Sequence, residues 1–244
     1  MRKTLVLTAI LILATAAHAS SYSCNLTVLT GGVPRPVYFA RGTTYIEALH
    51  GREYSLQISN PMPYRVAVAL SVDGLNTIDA KHSDGWNASK WVLDPYESVV
   101  IDGWQVSETS ARRFFFTGER DSYGASLGQT ENLGVIEAIF YRERERPIVE
   151  EREFAEPPAA APRSGVLGES KQSDDYAATG MGDRTRHDVT TIDIDLDPHP
   201  IRSVRIRYEF RPQLIKLGVL PTNPTTLERR EKAQGFDRWC PEKK

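Results

Sequence analysis

Between Glu53 and Ser59 the chain alternates Tyr54, Leu56 and Ile58 with Glu53, Ser55 and Gln57. A period of two marks a strand with one buried face. Asn60-Pro-Met-Pro-Tyr64 interrupts it with two prolines. Val66, Val68, Leu70 and Val72 then line one face of a second strand. Its other face is small (Ala67, Ala69, Ser71), which suits close approach by a sheet or a loop. Asp73-Gly-Leu-Asn76 and Asp94-Pro-Tyr-Glu97 predict turns. "KWVL" before the second turn and "SVVIDGW" after it are strand-like, the latter ending at Asp102-Gly103. "RRFFFTG" (112–118) and "LGVIEAIFYRE" (133–143) follow. Short strands at intervals of roughly ten to twenty residues, with no capped helical period between them, predict an all-β fold. The expectation is an antiparallel β-sandwich.

The pattern breaks at Arg142. "RERERPIVEEREFAE" mixes both charges, and "PPAAAPRSGVLGESKQSDD" is rich in Pro, Ala, Gly and Ser. This composition reads as an exposed connector over residues 144–178. Two strand-like runs follow, "HDVTTIDIDL" (187–196) and "RSVRIRYEF" (202–210), with "DPHP" between them as a hairpin turn. A lone hairpin is marginal in water, so a C-terminal β-hairpin and tail (179–244) is expected to pack back on a core formed by residues 20–143.

The first residues change the compartment. Arg2 and Lys3 precede an apolar run from Leu5 to Ala17, and Ala17-His-Ala19 fits a small-x-small cleavage site. Residues 1–19 read as a secretory signal peptide, with no later run long enough for a transmembrane helix. The formal charge is −2, and losing the leader removes two basic residues and no acidic one. This mild acidity gives no field for nucleic acid. Cys24 and Cys240 are the two cysteines. In an oxidising compartment they are expected to form a disulfide tying the N-terminal strand to the tail, worth about 5 kcal/mol in the chain-entropy model.

Four stretches could carry chemistry. Gly124-Ala-Ser126-Leu-Gly128 matches the Gly-x-Ser-x-Gly nucleophile elbow, which requires a strand before it and a helix after it. Here "TGERDSY" precedes and "QTENLGVI" leads into a strand, so a serine esterase using Ser126 is the least favoured reading. Ser126 is expected in a loop between strands, with the glycines serving a bend or a close contact. Asp73, Asn76, Asp79 and Asp84 lie at short loop spacing but lack the EF-hand ladder; turn formation accounts for them, and no metal or other cofactor is expected. Trp86, Trp91 and Trp104 fall within a short span and could stack on a sugar if exposed; core packing is the favoured account, Trp86 being the best candidate for exposure. "TGMGDR" (179–184) lacks the length and Lys-Ser/Thr ending of a phosphate loop and reads as a flexible approach to a strand.

"VDGLN", "LDPYES" with "IDGW", "SYGAS", "LGVI" and "TGMGDR" together resemble a family of uncharacterised bacterial exported β-sandwich proteins, over about residues 52–220. The resemblance implies an exported bacterial β protein and carries no catalytic residue. From the leader, the sandwich pattern and the missing catalytic set, the expected function is a non-enzymatic binding or structural component of the cell envelope, periplasmic or secreted to the cell surface. It would act by assembly with another envelope or secreted protein. The sequence sets no oligomeric state. A glycan-binding module using Trp86 is the alternative.

Overall fold

The computed structural model describes residues 23–144 and 176–222. The leader, nearly all of the connector and Cys240 lie outside the described residues. Strand β1 (Asn25–Thr30) turns through Gly31 and Gly32, both at positive φ, into the two-residue β2 (Val33–Pro34). At Arg35-Pro36 the chain changes sheets, making β3 (Val37–Ala40) and, after a turn at Arg41-Gly42, β4 (Thr43–Ala48). It returns for β5 (Glu53–Ser59), then crosses again for β6 (Val66–Val72), β7 (Leu75–Asn76) and β8 (Trp91–Leu93). Strands β9 (Ser98–Ile101), β10 (Gly103–Ser107) and β11 (Ser110–Gly118) follow. A single helical turn, α1 (Tyr123–Ser126), leads to β12 (Val135–Glu143). Beyond the connector come β13 (Ala177–Arg186), β14 (Leu196–Phe210) and α2 (Arg211–Lys216).

These strands form two packed sheets, the expected β-sandwich. Sheet 1 runs β10-β11-β5-β1-β2, with β13 on the far side of β11 and β9 on β5. Sheet 2 runs β3-β4-β14-β12-β6-β7, with β8 also on β6. The alternation read from the sequence is the burial pattern observed. Tyr54, Leu56, Ile58, Val66, Val68, Leu70 and Val72 enter one core with Phe114, Phe116, Phe140 and Tyr208. The small outer face of β6 is covered by the loop after β7. There Gly85 lies so close to Ile139 that an added Cβ would stand 2.6 Å from its Cδ1.

The structure corrects the antiparallel expectation at one pairing and the C-terminal hairpin altogether. β14 lies parallel to β4, Ile206 opposite Thr44 through Phe210 opposite Ala48. The runs after the connector do not pair with each other as a hairpin. Only Leu196 of the segment 187–196 is in a strand, and Asp197-Pro-His-Pro200 lies inside β14. The prolines are tolerated because the β12–β14 ladder is bulged there, shifting register on both sides of Tyr141. The strand preceding β14 is instead Ala177–Arg186, the supposed flexible approach, paired with β11 in the other sheet. Gly180 lets the Phe115 ring lie against the strand: a Cβ there would overlap the ring. Ala177 and Ala178, the last connector residues by composition, already belong to this strand.

Gly103 explains the "IDGW" stretch. A Cβ there would fall on the main-chain carbonyl of Arg112, in the neighbouring strand β11. Backbone cannot yield as a side-chain tip can, so Gly103→Ala is expected to cost about 3 kcal/mol or more, read as a lower urea midpoint. An unchanged midpoint would show that the two strands are not in this contact.

Candidate functional site

The residues singled out in the sequence are not brought together. Ser126 ends α1, and its hydroxyl donates to the Tyr123 carbonyl at 2.7 Å. The turn is capped by the Ser122 hydroxyl, which accepts from the Ala125 N–H at 3.0 Å. Gly124 is pressed against the Gln129 carbonyl, 2.6 Å from an added Cβ, and Gly128 takes φ +71° just after the turn. Close contact and reversal are thus the roles of the two glycines. No histidine hydrogen-bonds Ser126 among the described residues.

The three tryptophans occupy different places. Trp104 is a core residue, edge-on to Phe114, tilted against Tyr123 and donating its indole N–H to the Gly180 carbonyl at 3.3 Å. Trp91 is half-buried, donates to the Thr77 hydroxyl at 2.9 Å and lies beside His187. Only Trp86 is exposed, at 43%, edge-on to Tyr141 with the Lys90 ammonium over its ring. The loop carboxylates make turns. Asp84 accepts from the amides of Trp86 and Asn87 and from the Asn87 side chain. Asp79 accepts from the Lys81 amide and the Ser89 hydroxyl. Cys24 is buried in the core, and burial raises its thiol pKa; its expected partner lies outside the described residues.

Asp73 has a role that sequence reasoning missed. The β6–β7 turn, Asp73-Gly74, holds both residues at positive φ (54° and 76°), as a two-residue hairpin turn requires. The same turn sends the Asp73 carboxylate into the core. Its Oδ1 accepts the Gly134 N–H at 2.8 Å and the Tyr208 hydroxyl, and its Oδ2 accepts the Thr179 N–H at 2.8 Å. The Thr179 hydroxyl is 2.6 Å from that of Tyr208 and 2.7 Å from that of Tyr54. With Asp73 ionised, one direction satisfies the chain: Tyr54 donates to Thr179, Thr179 to Tyr208, and Tyr208 to Asp73. Tyr208 belongs to sheet 2 and Thr179 and Tyr54 to sheet 1, so the network bolts the two sheets together. All four side chains are at most 3% exposed, which removes them from substrate.

Burial pushes Asp73 up to about 6, against the lowering effect of the Tyr208 hydroxyl and the backbone amides. The unfolded carboxyl titrates near 4. The stability it lends is therefore fully present below about pH 4 and is lost as pH rises through 6, on the order of 3 kcal/mol in all. Glu209 is raised by burial too, so a difference measurement isolates Asp73. Asp73→Asn turns an amide donor toward donors and is destabilising, by about 1–3 kcal/mol at pH 4. The gap between wild type and variant, from urea melts, should narrow steadily between pH 4 and 7. A constant gap would contradict the assignment.

The feature that offers a docking surface is the side of the sandwich where β2 and β3 form the sheet edges. Directly opposed residues share a face. Val37 is opposite Ile46 and Phe39 opposite Thr44, and Ile46 is wholly buried in the inter-sheet core. Val37 and Phe39 therefore point to the inner face of sheet 2, yet they are 61% and 78% exposed. Val33, opposite Thr30 on sheet 1, is also exposed. Sheet 2 overhangs sheet 1 here, and its inward apolar residues have nothing to pack on among the described residues. The outer face of the same strands is finished: Tyr38, Ala40 and Tyr45 pack under Leu214 and Leu220 at and beyond α2. A groove of about 1080 Å³ adjoins this side, lined by Leu29, Val33, Arg35, Arg52, Glu53 and Arg113 among others.

Comparison with known proteins gives no match: no family model, no curated protein and no solved structure aligns with the chain.

Proposed function

We propose that the protein is an exported, non-enzymatic component of the bacterial envelope that works by assembly with another polypeptide, through the β3 edge. The observation that carries this reading is the overhang, with Val37 and Phe39 on an inner sheet face and in water. Edge strands are normally blunted by charge, proline or cover. β3 itself (Val-Tyr-Phe-Ala) has none of these on its open side among the described residues. An added strand would take up its free backbone groups and bury both side chains. The Arg2–Ala19 leader pattern and the family resemblance support export.

Trp86 favours a second reading, a glycan site, because it is the exposed ring of the three and is held edge-on to Tyr141. The two separate by mutation. Phe39→Asp should shift the native assembly in envelope extracts to the size of the free chain, seen by native gel, while Trp86→Ala leaves it unchanged. An assembly indifferent to Phe39→Asp would overturn the proposal. Glycan-array binding lost on Trp86→Ala would establish the second reading instead.

A further inference from the structure

The segment 187–196 has the alternation of a strand without strand partners. Ile192, Ile194 and Leu196 alternate with Asp193, Asp195 and Asp197, yet residues 187–195 are outside both sheets. The segment is strung between two anchors, the Val189 N–H on the Glu108 carbonyl and the Arg144 N–H on the Asp195 carbonyl, each 2.8 Å. Between them, among the described residues, no backbone amide from Thr190 through Ile194 reaches a backbone carbonyl. Ile192 is 43% exposed. An apolar-acidic strand pattern without backbone partners among the described residues, its Ile192 in solvent and its Ile194 half-buried, is a donor without an acceptor.

β3 has the complementary character. It offers two apolar side chains at alternate positions, bracketed by Arg35 and Arg41. Arg35 sits against Glu47, and Arg41 is exposed at the β3–β4 turn. These arginines also argue against β3 pairing with its own copy: a two-fold through Tyr38 would set Arg35 opposite the other copy's Arg41 at both ends, and like charges directly opposed are destabilising. Nor can the donor reach β3 in its own molecule. Phe39 is level with Thr44, and Thr44 with Ile206. From Leu196 to Ile206 the strand spans roughly 33 Å.

Taking β3 as the docking edge, as the preceding reading does, the geometry points to a head-to-tail assembly of this chain with itself: residues 190–195 of one copy add as a strand along β3 of the next. Ile192 and Ile194 then cover Val37 and Phe39, and the aspartates lie near the arginines. The donor and acceptor are different surfaces, so the contact is heterologous. It leaves a free donor at one end and a free acceptor at the other, and growth is open-ended unless the rotation closes a ring.

Sedimentation velocity on the purified full chain tests this. Wild type should form a concentration-dependent series of oligomers that weakens with salt. Phe39→Asp (acceptor blocked) and the double variant Ile192→Asp, Ile194→Asp (donor blocked) should each be monomeric. Phe39 and Ile192 are exposed and Ile194 is half-buried, and near-UV circular dichroism verifies folding. Each blocked variant keeps one intact surface, so their equimolar mixture should form a 1:1 dimer and nothing larger. Arg41→Glu should raise the apparent Kd about tenfold. A wild type that stays monomeric throughout, or a mixture that stays monomeric while wild type assembles, would overturn the inference. If the purified chain is monomeric but Phe39→Asp still breaks the envelope assembly, the β3 edge stands and the partner is a different protein. If Phe39→Asp alters neither, both readings fall.

Discussion

The Asp73 carboxylate is the point on which the sandwich depends. It gathers donors from residues 61, 106 and 135 positions away, so chain segments on both sides of the connector meet at one buried group. Removing it would leave two main-chain amides and a tyrosine hydroxyl buried without their acceptor, the costly side of hydrogen-bond energetics. It also fixes β13 in place: with Thr179 held, Ala177–Arg186 can run along β11 and complete sheet 1 on that side. Hydrophobic burial supplies the bulk of the driving force, but it is non-directional. The carboxylate sets how the two sheets register.

The two sides of the sandwich are finished differently. Toward β13 the sheets are joined by the polar network and by the tilted ring contact of Phe116 in sheet 1 with Tyr208 in sheet 2, centroids 5.4 Å apart. Toward β2 and β3 the sheets end at unequal lengths. Sheet 2 carries inward apolar residues past the end of sheet 1, while α2 covers only its outer face. A molecule built this way is rigid where its chemistry is buried and incomplete where its surface is apolar. Its titratable core serves stability, and its exposed edge is the part on which the proposed assembly rests.

Much of this was readable in the chain. The period-two runs of β5 and β6 appear as drawn, and "RSVRIRYEF" is a strand. The small face of β6 is indeed covered by a loop. What failed has physical causes. Ala177–Arg186 is a strand of small residues and glycines, low in β-propensity, and tertiary pairing with the aromatic β11 overrides that. Thr190–Asp195 has the pattern of a strand but no neighbour. "DPHP" looks like a turn but sits at a bulged ladder, where missing amides cost little. Asp73 was legible as a turn former and illegible as a core residue, because burial depends on partners from β13 and β14. The β3 edge gave no sequence signal, since a strand's alternation does not say whether the opposite sheet extends far enough to cover it.

Native-state hydrogen exchange, resolved by residue at low and high protein concentration, tests the whole account most directly. The account predicts that the Thr179 and Gly134 amides, donated to Asp73, exchange only through global unfolding at every concentration. It also predicts that the amides of Val37–Ala40 not bonded to β4, and those of Thr190–Ile194, exchange fast when dilute and become protected together when concentrated. Rapid exchange at Thr179, or protection of β3 without that of 190–194, would contradict it.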